Sequence, residues 1–299
     1  MTFEIGEVLS RSVQITWRKK SFWGLVILPM LMSFAAFPIY FIPLLIDTNS
    51  PDSPIFFDNP VFLVFFFLFH VIFILLTVAL SVYGYSALTL GIVRVDRGEE
   101  GIAFKQLLQD ARNYFPRMLG VMLITTFGIG MVFFAIFACL ALFGMVTAGV
   151  GFICIQPFII VLYPVMMMVY AFMEQAQAAV VVDELGVREA LTKGWELLKA
   201  NFWRLALISL VIYLGISFVS SLAVMPFMIP LFFFPFFLDS NSFDPTFFGL
   251  AMGAYMLVLF PLTALVQGVA ITFMKSAYVL VYLRLTRPSN QPVPAEATV

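Results

Sequence analysis

The chain has 299 residues, of which 62% are hydrophobic and 11% are charged. Because a soluble globular protein carries about 25% charged residues, this composition excludes a water-soluble domain and indicates an integral membrane protein. The formal net charge is only −1, so orientation in a membrane depends on which connections hold the basic residues rather than on their total number.

The chain opens with a polar, amphipathic segment from Met1 to Lys20, followed by its first apolar stretch. That stretch is too long for the apolar region of a signal peptide, and a small-residue cleavage site is poorly formed after it, so we expect it to be retained. Crossing a hydrocarbon core of about 30 Å takes about 20 helical residues. Six stretches are long enough: Phe22 to Ile46, Val61 to Val93, Met118 to Val146, Gly151 to Val182, Phe202 to Leu238 and Phe247 to Leu283.

Prolines interrupt two of these stretches. Pro226, Pro230 and Pro235 lie in the second half of the fifth stretch, among several phenylalanines. A proline inside a helix removes a hydrogen bond and clashes with the preceding turn, so we predict that the helix gives way there to an apolar segment at the membrane interface. Similar irregularity is predicted at the three prolines of the first stretch, Pro29, Pro38 and Pro43.

Basic residues are confined to one side of the predicted bundle. All sixteen Lys and Arg residues lie in the N-terminal segment, in the connections after the second and fourth stretches, or near the C-terminus. Lys and Arg are retained on the cytoplasmic side, so this separation predicts an even number of spans with both termini in the cytoplasm. The remaining connections hold no charge or only aspartates, at Asp47, Asp52, Asp58, Asp239 and Asp244.

The chain also contains an internal repeat. Each cytoplasmic segment reads as an amphipathic helix that runs directly into a span, and the aromatic junctions at Phe22, Tyr114 and Phe202 lie 92 and 88 residues apart. One unit then consists of this helix, an outward span, an external loop and a returning span, so three units account for the six spans.

We therefore predict an all-α membrane fold with six transmembrane helices in three repeated units. A single membrane domain covers residues 1–287, with units at about 3–97, 98–184 and 185–287. Residues 288–299 are rich in proline and nearly uncharged, so we predict a disordered cytoplasmic tail.

The three amphipathic helices allow two compatible interpretations. Their apolar faces can lie among lipid headgroups with Lys and Arg towards anionic lipid, or they can pack on the cytoplasmic ends of the spans. Tryptophan favours the membrane boundary, so we assign Trp17, Trp23, Trp195 and Trp203 as interfacial anchors. The apolar faces are Ile5, Val8, Leu9, Val13 and Trp17 in the first helix, Ile102, Leu107, Leu108, Ala111 and Phe115 in the second, and Val187, Leu191, Trp195, Leu198 and Phe202 in the third.

Ionisable side chains inside apolar stretches mark candidate functional sites, because they are costly there. His70, the only histidine, lies in the second stretch. A single histidine cannot complete a metal site, so a structural or pore-lining hydrogen bond is the first interpretation and a proton relay is the second.

Glu174 and Lys275 hold equivalent positions in the repeat, with Ser86 as the counterpart in the first unit. Glu174 lies nine residues before Asp183, and Lys275 lies nine residues before Arg284. Either the two opposite charges pair near the cytoplasmic end of the bundle, or the spans end early and both groups are solvated. The neighbouring polar residues favour the second arrangement, namely Gln175, Gln177 and Ser276.

The segment from Ala179 to Arg204 carries a further pattern, with a weaker echo from Phe3 to Trp23. Together with the span pattern across nearly the whole chain, it resembles the bacterial membrane domain of glycerophosphoryl diester phosphodiesterases and related six-span proteins. In hydrolysing members of that family a separate soluble barrel domain performs the chemistry. The resemblance therefore implies a stand-alone membrane domain in a bacterial plasma membrane, with no catalytic residue to carry over. The residues that match are Glu184, Gly186, Ala190, Leu191, Trp195, Leu198, Asn201 and Phe202.

The sequence contains no phosphate-binding loop, metalloprotease motif, nucleophile elbow or carboxylate cluster. We expect a non-enzymatic multi-pass protein without cofactor or metal, acting as a scaffold or partner subunit that engages membrane lipid through its interfacial helices. The interfacial helices also leave room for a protein partner or a second copy, and nucleic acid is not expected. The alternative is a small transporter or lipid-handling protein with a central cavity near Glu174 and Lys275, which requires those side chains to face a shared, water-accessible space.

Overall fold

A computed structural model describes residues 5–35, 60–99, 103–147, 150–233 and 245–286, and the regular structure in these ranges is entirely helical. Residues 47–59 of the first predicted external connection and the predicted tail at 288–299 lie outside the described residues, as do Pro38, Pro43 and Pro235. The helices are α1 (Ile5–Arg18), α2 (Ser21–Ala35), α3 (Pro60–Asp96), α4 (Phe104–Ala111), α5 (Phe115–Val146), α6 (Val150–Val182), α7 (Val187–Ala200), α8 (Phe202–Phe233) and α9 (Pro245–Thr286).

Five of these helices are long and apolar enough to cross a membrane: α3, α5, α6, α8 and α9. The all-α membrane fold is therefore confirmed. Helix α2 is apolar, but its 15 described residues are fewer than the roughly 20 that a span requires. The remainder of the predicted first span, up to Ile46, lies outside the described residues, so a sixth span stays a prediction.

The predicted break in the fifth stretch is wrong over the part that the structure describes. Helix α8 continues through Pro226 and Pro230 to Phe233, just as α2 continues through Pro29 and α9 through Pro261. In apolar surroundings a chain that leaves the helix exposes several backbone groups with no water to bind, whereas a proline within the helix frees only one or two. Continuing the helix is therefore the less costly arrangement.

Helices α3, α6 and α9 pack on one another at the centre, and the other helices surround them in a regular order. Helix α2 packs on α3 and α9, α5 packs on α6 and α3, and α8 packs on α9 and α6. Each short helix packs on one central helix: α1 on α9, α4 on α3 and α7 on α6. Each outer helix thus contacts the central helix that follows it and the one that precedes it in cyclic order.

The core is concentrated at one end of this arrangement. The C-terminal halves of α3, α6 and α9 contain most of the buried apolar residues, among them Leu88, Ile92, Val180 and Leu280. By contrast, the most apolar window of α3 has no buried residue. Since a bilayer supplies apolar surroundings, such side chains are suited to contact lipid.

Helix α2 approaches its neighbours closely at two glycines. A Cβ atom on Gly84 of α3 would lie 2.4 Å from the carbonyl oxygen of Leu25, and one on Gly268 of α9 would lie 2.4 Å from Cγ1 of Ile27. Small residues let membrane helices approach this closely, so these glycines set the position of α2 between α3 and α9.

The short helices pack largely through their predicted apolar faces, with small residues added and some larger side chains left exposed. The buried residues of α4, Leu107 and Ala111, both belong to the predicted face. Helix α1 buries Ser12 and Thr16 together with Val8 and Ile15, while Val13 and Trp17 are exposed. Helix α7 buries Ala190, Gly194 and Leu198 and leaves Trp195 half exposed. A Cβ on Gly194 would lie 3.0 Å from the backbone nitrogen of Ala176, so close packing selects small residues there. Leu191 also packs on the core, whereas Trp195 remains on the outside.

Candidate functional site

Glu174 and Lys275 form an ion pair inside the packed end of the bundle. The Nζ atom of Lys275, on α9, lies 2.8 Å from Oε2 of Glu174, on α6, and each side chain is only 2% exposed. Gln175, Gln177 and Ser276 are buried as well, so their polarity does not indicate a solvated extension of the helices. Of the two arrangements that the sequence left open, the structure contains the paired one.

The ammonium group of Lys275 has two further partners. Its Nζ donates a hydrogen bond of 2.5 Å to Oε1 of Gln177 and lies 4.8 Å from the ring centroid of Tyr85, on α3. Cation–π contacts of this kind are stronger when the cation is desolvated. All three central helices therefore contribute to holding one buried charge.

Two tyrosines extend the polar layer around Glu174. Tyr170 lies one turn earlier on α6 and interacts with the Glu174 carboxylate, and its ring centroid is 5.9 Å from that of Tyr278 on α9. Gln175 donates a hydrogen bond of 3.4 Å to the Tyr278 carbonyl oxygen. The sequence analysis did not select these tyrosines. Their helical spacing was the available signal, because Tyr170 precedes Glu174 by four residues and residues at this spacing share a face.

His70 does not lie beside the polar side chains that surround Glu174 and Lys275. Its Nδ1 atom lies 2.8 Å from the carbonyl oxygen of Phe66, one turn earlier on α3, and its ring contacts the Phe66 ring at 4.2 Å between centroids. At 1.5 Å per residue, His70 lies roughly 24 Å along α3 from Ser86. Ser86 is buried and bonds the Val82 carbonyl at 2.8 Å, while its neighbour Tyr85 is the residue that reaches Lys275.

A second set of polar contacts lies at the helix ends. Arg94 of α3 pairs with Asp110 of α4 at 2.6 Å, and Arg284 of α9 pairs with Glu7 of α1 at 3.3 Å. Arg284 also lies 3.6 Å from the buried carboxylate of Asp96. These pairs hold α4 and α1 against the central helices.

A polar cavity of about 410 Å³ lies between the ends of α3 and α6 and the start of α5. Tyr114 donates a hydrogen bond of 3.1 Å to the Glu184 carboxylate, and Arg117 donates one of 2.8 Å to the Glu184 carbonyl. Burial and the bond to Glu184 raise the pKa of Tyr114 above its ordinary value, so this hydroxyl is a neutral donor at neutral pH. The lining consists of Leu90, Val93, Arg94, Arg97, Glu99, Tyr114, Val181, Val182, Asp183 and Glu184.

The four tryptophans lie at or near the junctions of the short helices with the long ones. Trp203 is 82% exposed, Trp17 is 58% exposed and Trp195 is 50% exposed. Trp23 is half-buried, and its Nε1 donates a hydrogen bond of 3.0 Å to the Thr16 carbonyl. Three of the four indole rings therefore have a large surface that the described protein does not cover.

Within the described residues, no three His, Cys, Asp or Glu side chains are grouped so that they could hold a metal ion. Comparison with known protein families, with curated proteins and with solved structures finds no match. The resemblance to the phosphodiesterase membrane domain therefore stays a prediction, and a function has to be argued from the geometry.

Proposed function

We propose that this chain is a non-enzymatic multi-pass membrane scaffold that engages lipid through α1, α4 and α7 on its cytoplasmic side. The observation that carries the proposal is the exposure of Trp17, Trp195 and Trp203 beside basic side chains. A Trp ring is stabilised at the boundary between the apolar core and the headgroups, and Lys and Arg are stabilised next to anionic lipid. Both requirements are met when these helices lie at the membrane surface.

Basic groups accompany each exposed indole. Trp17 is followed by Arg18, Lys19 and Lys20, and Trp203 is followed by Arg204. The Nζ atom of Lys199 lies 5.3 Å from the ring centroid of Trp195. Long basic side chains keep their charge in the headgroup layer while their stems cover apolar surface.

Three repeated units with six spans form the proposed architecture. The cyclic packing order supports it, because the first helix of each unit packs on the last helix of the preceding unit, and α1 closes the ring on α9. Equivalent ion pairs at two of these contacts, Arg94 with Asp110 and Arg284 with Glu7, add support. Both termini then lie in the cytoplasm, and the location is a bacterial plasma membrane.

The transporter alternative has less support. It needs a water-accessible space beside the Glu174 and Lys275 side chains, but both are 2% exposed. Two cavities at the surface of the described bundle are lined by other residues and not by this pair.

Fluorescence of single-tryptophan variants tests the proposed lipid contact. The full chain keeping only Trp203, reconstituted in vesicles, is expected to be strongly quenched by lipids brominated near the top of the acyl chains and weakly by aqueous acrylamide. This follows because the exposed indole would lie at the membrane boundary.

The variant keeping only Trp23 is the matched control, since this ring is half-buried and hydrogen-bonded. It should respond less than Trp203 to the brominated lipids. Strong acrylamide quenching of Trp203 without quenching by brominated lipid would place this surface in water and contradict the proposal.

A further inference from the structure

Helix α6 is followed by a carboxylate that forms no ion pair within the described residues. Near the end of α3, Arg94 pairs with Asp110 at 2.6 Å, and near the end of α9, Arg284 pairs with Glu7 at 3.3 Å. The corresponding residue after α6 is Asp183, which accepts a hydrogen bond of 2.5 Å from the Tyr282 hydroxyl. Within the described part of the chain it has no ion pair. The cavity of about 410 Å³ lies at this end of α6.

Glu184 adds a second carboxylate to the same cavity. Its carboxylate accepts a hydrogen bond from Tyr114, and the nearby Arg117 bonds its backbone carbonyl instead. Both acids lie at the C-terminal end of α6, where the helix dipole contributes partial negative charge. Negative side chains are unfavourable at such an end, so these two exposed carboxylates favour a cation.

The same cavity also carries the complementary charge. Arg97, just beyond the end of α3, lines the cavity and is exposed. Among the described residues it has no carboxylate within ion-pair distance, whereas Arg94 is held by Asp110 and lies 3.8 Å from Glu99. A free guanidinium favours a phosphate oxygen, which it can bind through two parallel hydrogen bonds.

We propose that this cavity binds a phosphoethanolamine group, with the phosphate on Arg97 and the primary ammonium on Asp183 and Glu184. The volume of about 410 Å³ lies within the range of about 300–1,000 Å³ usual for small-molecule sites. An ethanolamine ammonium has three N–H donors for the two carboxylates, whereas the trimethylammonium of choline has none. The inference rests on the proposed function, because a lipid headgroup reaches the cavity only if this end of the bundle lies at the membrane surface.

Native mass spectrometry of the full chain in detergent tests the proposal. With equimolar phosphatidylethanolamine and phosphatidylcholine of identical acyl chains, we expect about fivefold preferential retention of the ethanolamine lipid, as for the net contribution of a single ordinary hydrogen bond. Arg97→Gln and Asp183→Asn should each reduce this preference to near parity. Arg97 is exposed and without an ion pair, so its replacement is not expected to disturb folding.

Arg188→Gln is the matched control, because Arg188 is an exposed arginine on α7 that does not line this cavity. It should leave the preference unchanged. Equal retention of the two lipids by the unaltered chain, or a preference that survives both Arg97→Gln and Asp183→Asn, would overturn the proposal.

The phosphoethanolamine group could come from a membrane lipid or from a soluble compound. Competition with soluble phosphoethanolamine distinguishes these two sources. If it displaces the bound lipid and phosphocholine does not, the group itself is sufficient and a soluble compound can occupy the cavity. If it displaces nothing while the lipid preference holds, the acyl chains contribute and the membrane lipid is the ligand. The tryptophan experiment reports membrane contact independently, so lipid quenching of Trp203 without an ethanolamine preference would refute this inference alone.

Discussion

Replacing Lys275 with Met is expected to destabilise the folded protein by about 3–5 kcal/mol, the usual cost of breaking a buried ion pair from one side. Glu174 would remain 2% exposed without its countercharge, and Gln177 would lose the ammonium that it binds. Methionine has a similar length and fills the space, so the lost charge rather than a cavity causes the effect. Unfolding of the purified chain in mixed micelles with increasing dodecyl sulfate, followed by tryptophan fluorescence, gives the free energy of unfolding.

Two further variants make this prediction specific. Lys105→Met removes an exposed lysine of α4 and should leave the unfolding transition unchanged. Adding Glu174→Gln to Lys275→Met removes the uncompensated charge and should restore a large part of the lost stability, since replacing both members of a buried pair is often nearly neutral. A Lys275→Met transition indistinguishable from that of Lys105→Met would show that the pair does not stabilise the folded state.

The bounds of the long helices were largely predictable from the sequence, whereas side-chain directions were predictable only in part. The predicted fourth stretch, Gly151 to Val182, differs from helix α6 by one residue, because hydropathy reports directly where an apolar segment begins and ends. By contrast, the predicted apolar face of α7 is only in part the face that packs on the bundle, because Leu198 is buried while Trp195 is half exposed. Close approach at Gly194 adds small residues to the packed face, and this depends on a neighbouring helix that local periodicity does not reveal.

The residues of the candidate sites were likewise predictable only in part. The cost of placing charge in apolar surroundings was enough to select Glu174 and Lys275, but Tyr85 comes from a different helix and could not be placed beside Lys275 by spacing. The cavity at Asp183 was not predicted at all. The charges that line this cavity depend on which carboxylates pair with the arginines near the ends of the other two central helices. That pairing is known only once the helices are packed.

Replacing Gly84 with Ala is expected to destabilise the protein by about 1–3 kcal/mol, the range for overpacking a well-packed core. The added Cβ would lie 2.4 Å from the Leu25 carbonyl oxygen, and backbone cannot move aside by a change of rotamer. Helices α2 and α3 would have to separate, which would also weaken the contact of α2 with α9. Thermal unfolding of the purified chain in detergent measures the loss.

Gly215→Ala in α8 is the matched control for Gly84→Ala. No atom lies within 4 Å of the Cβ that it would add, so only the intrinsic helix preference changes, which favours Ala over Gly by about 0.5–1 kcal/mol. The two substitutions are chemically identical and both lie in long apolar helices, yet they should shift the unfolding temperature in opposite directions. Shifts in the same direction would mean that close packing of α2 on α3 does not limit stability, and that α2 is positioned mainly by its contacts with α9.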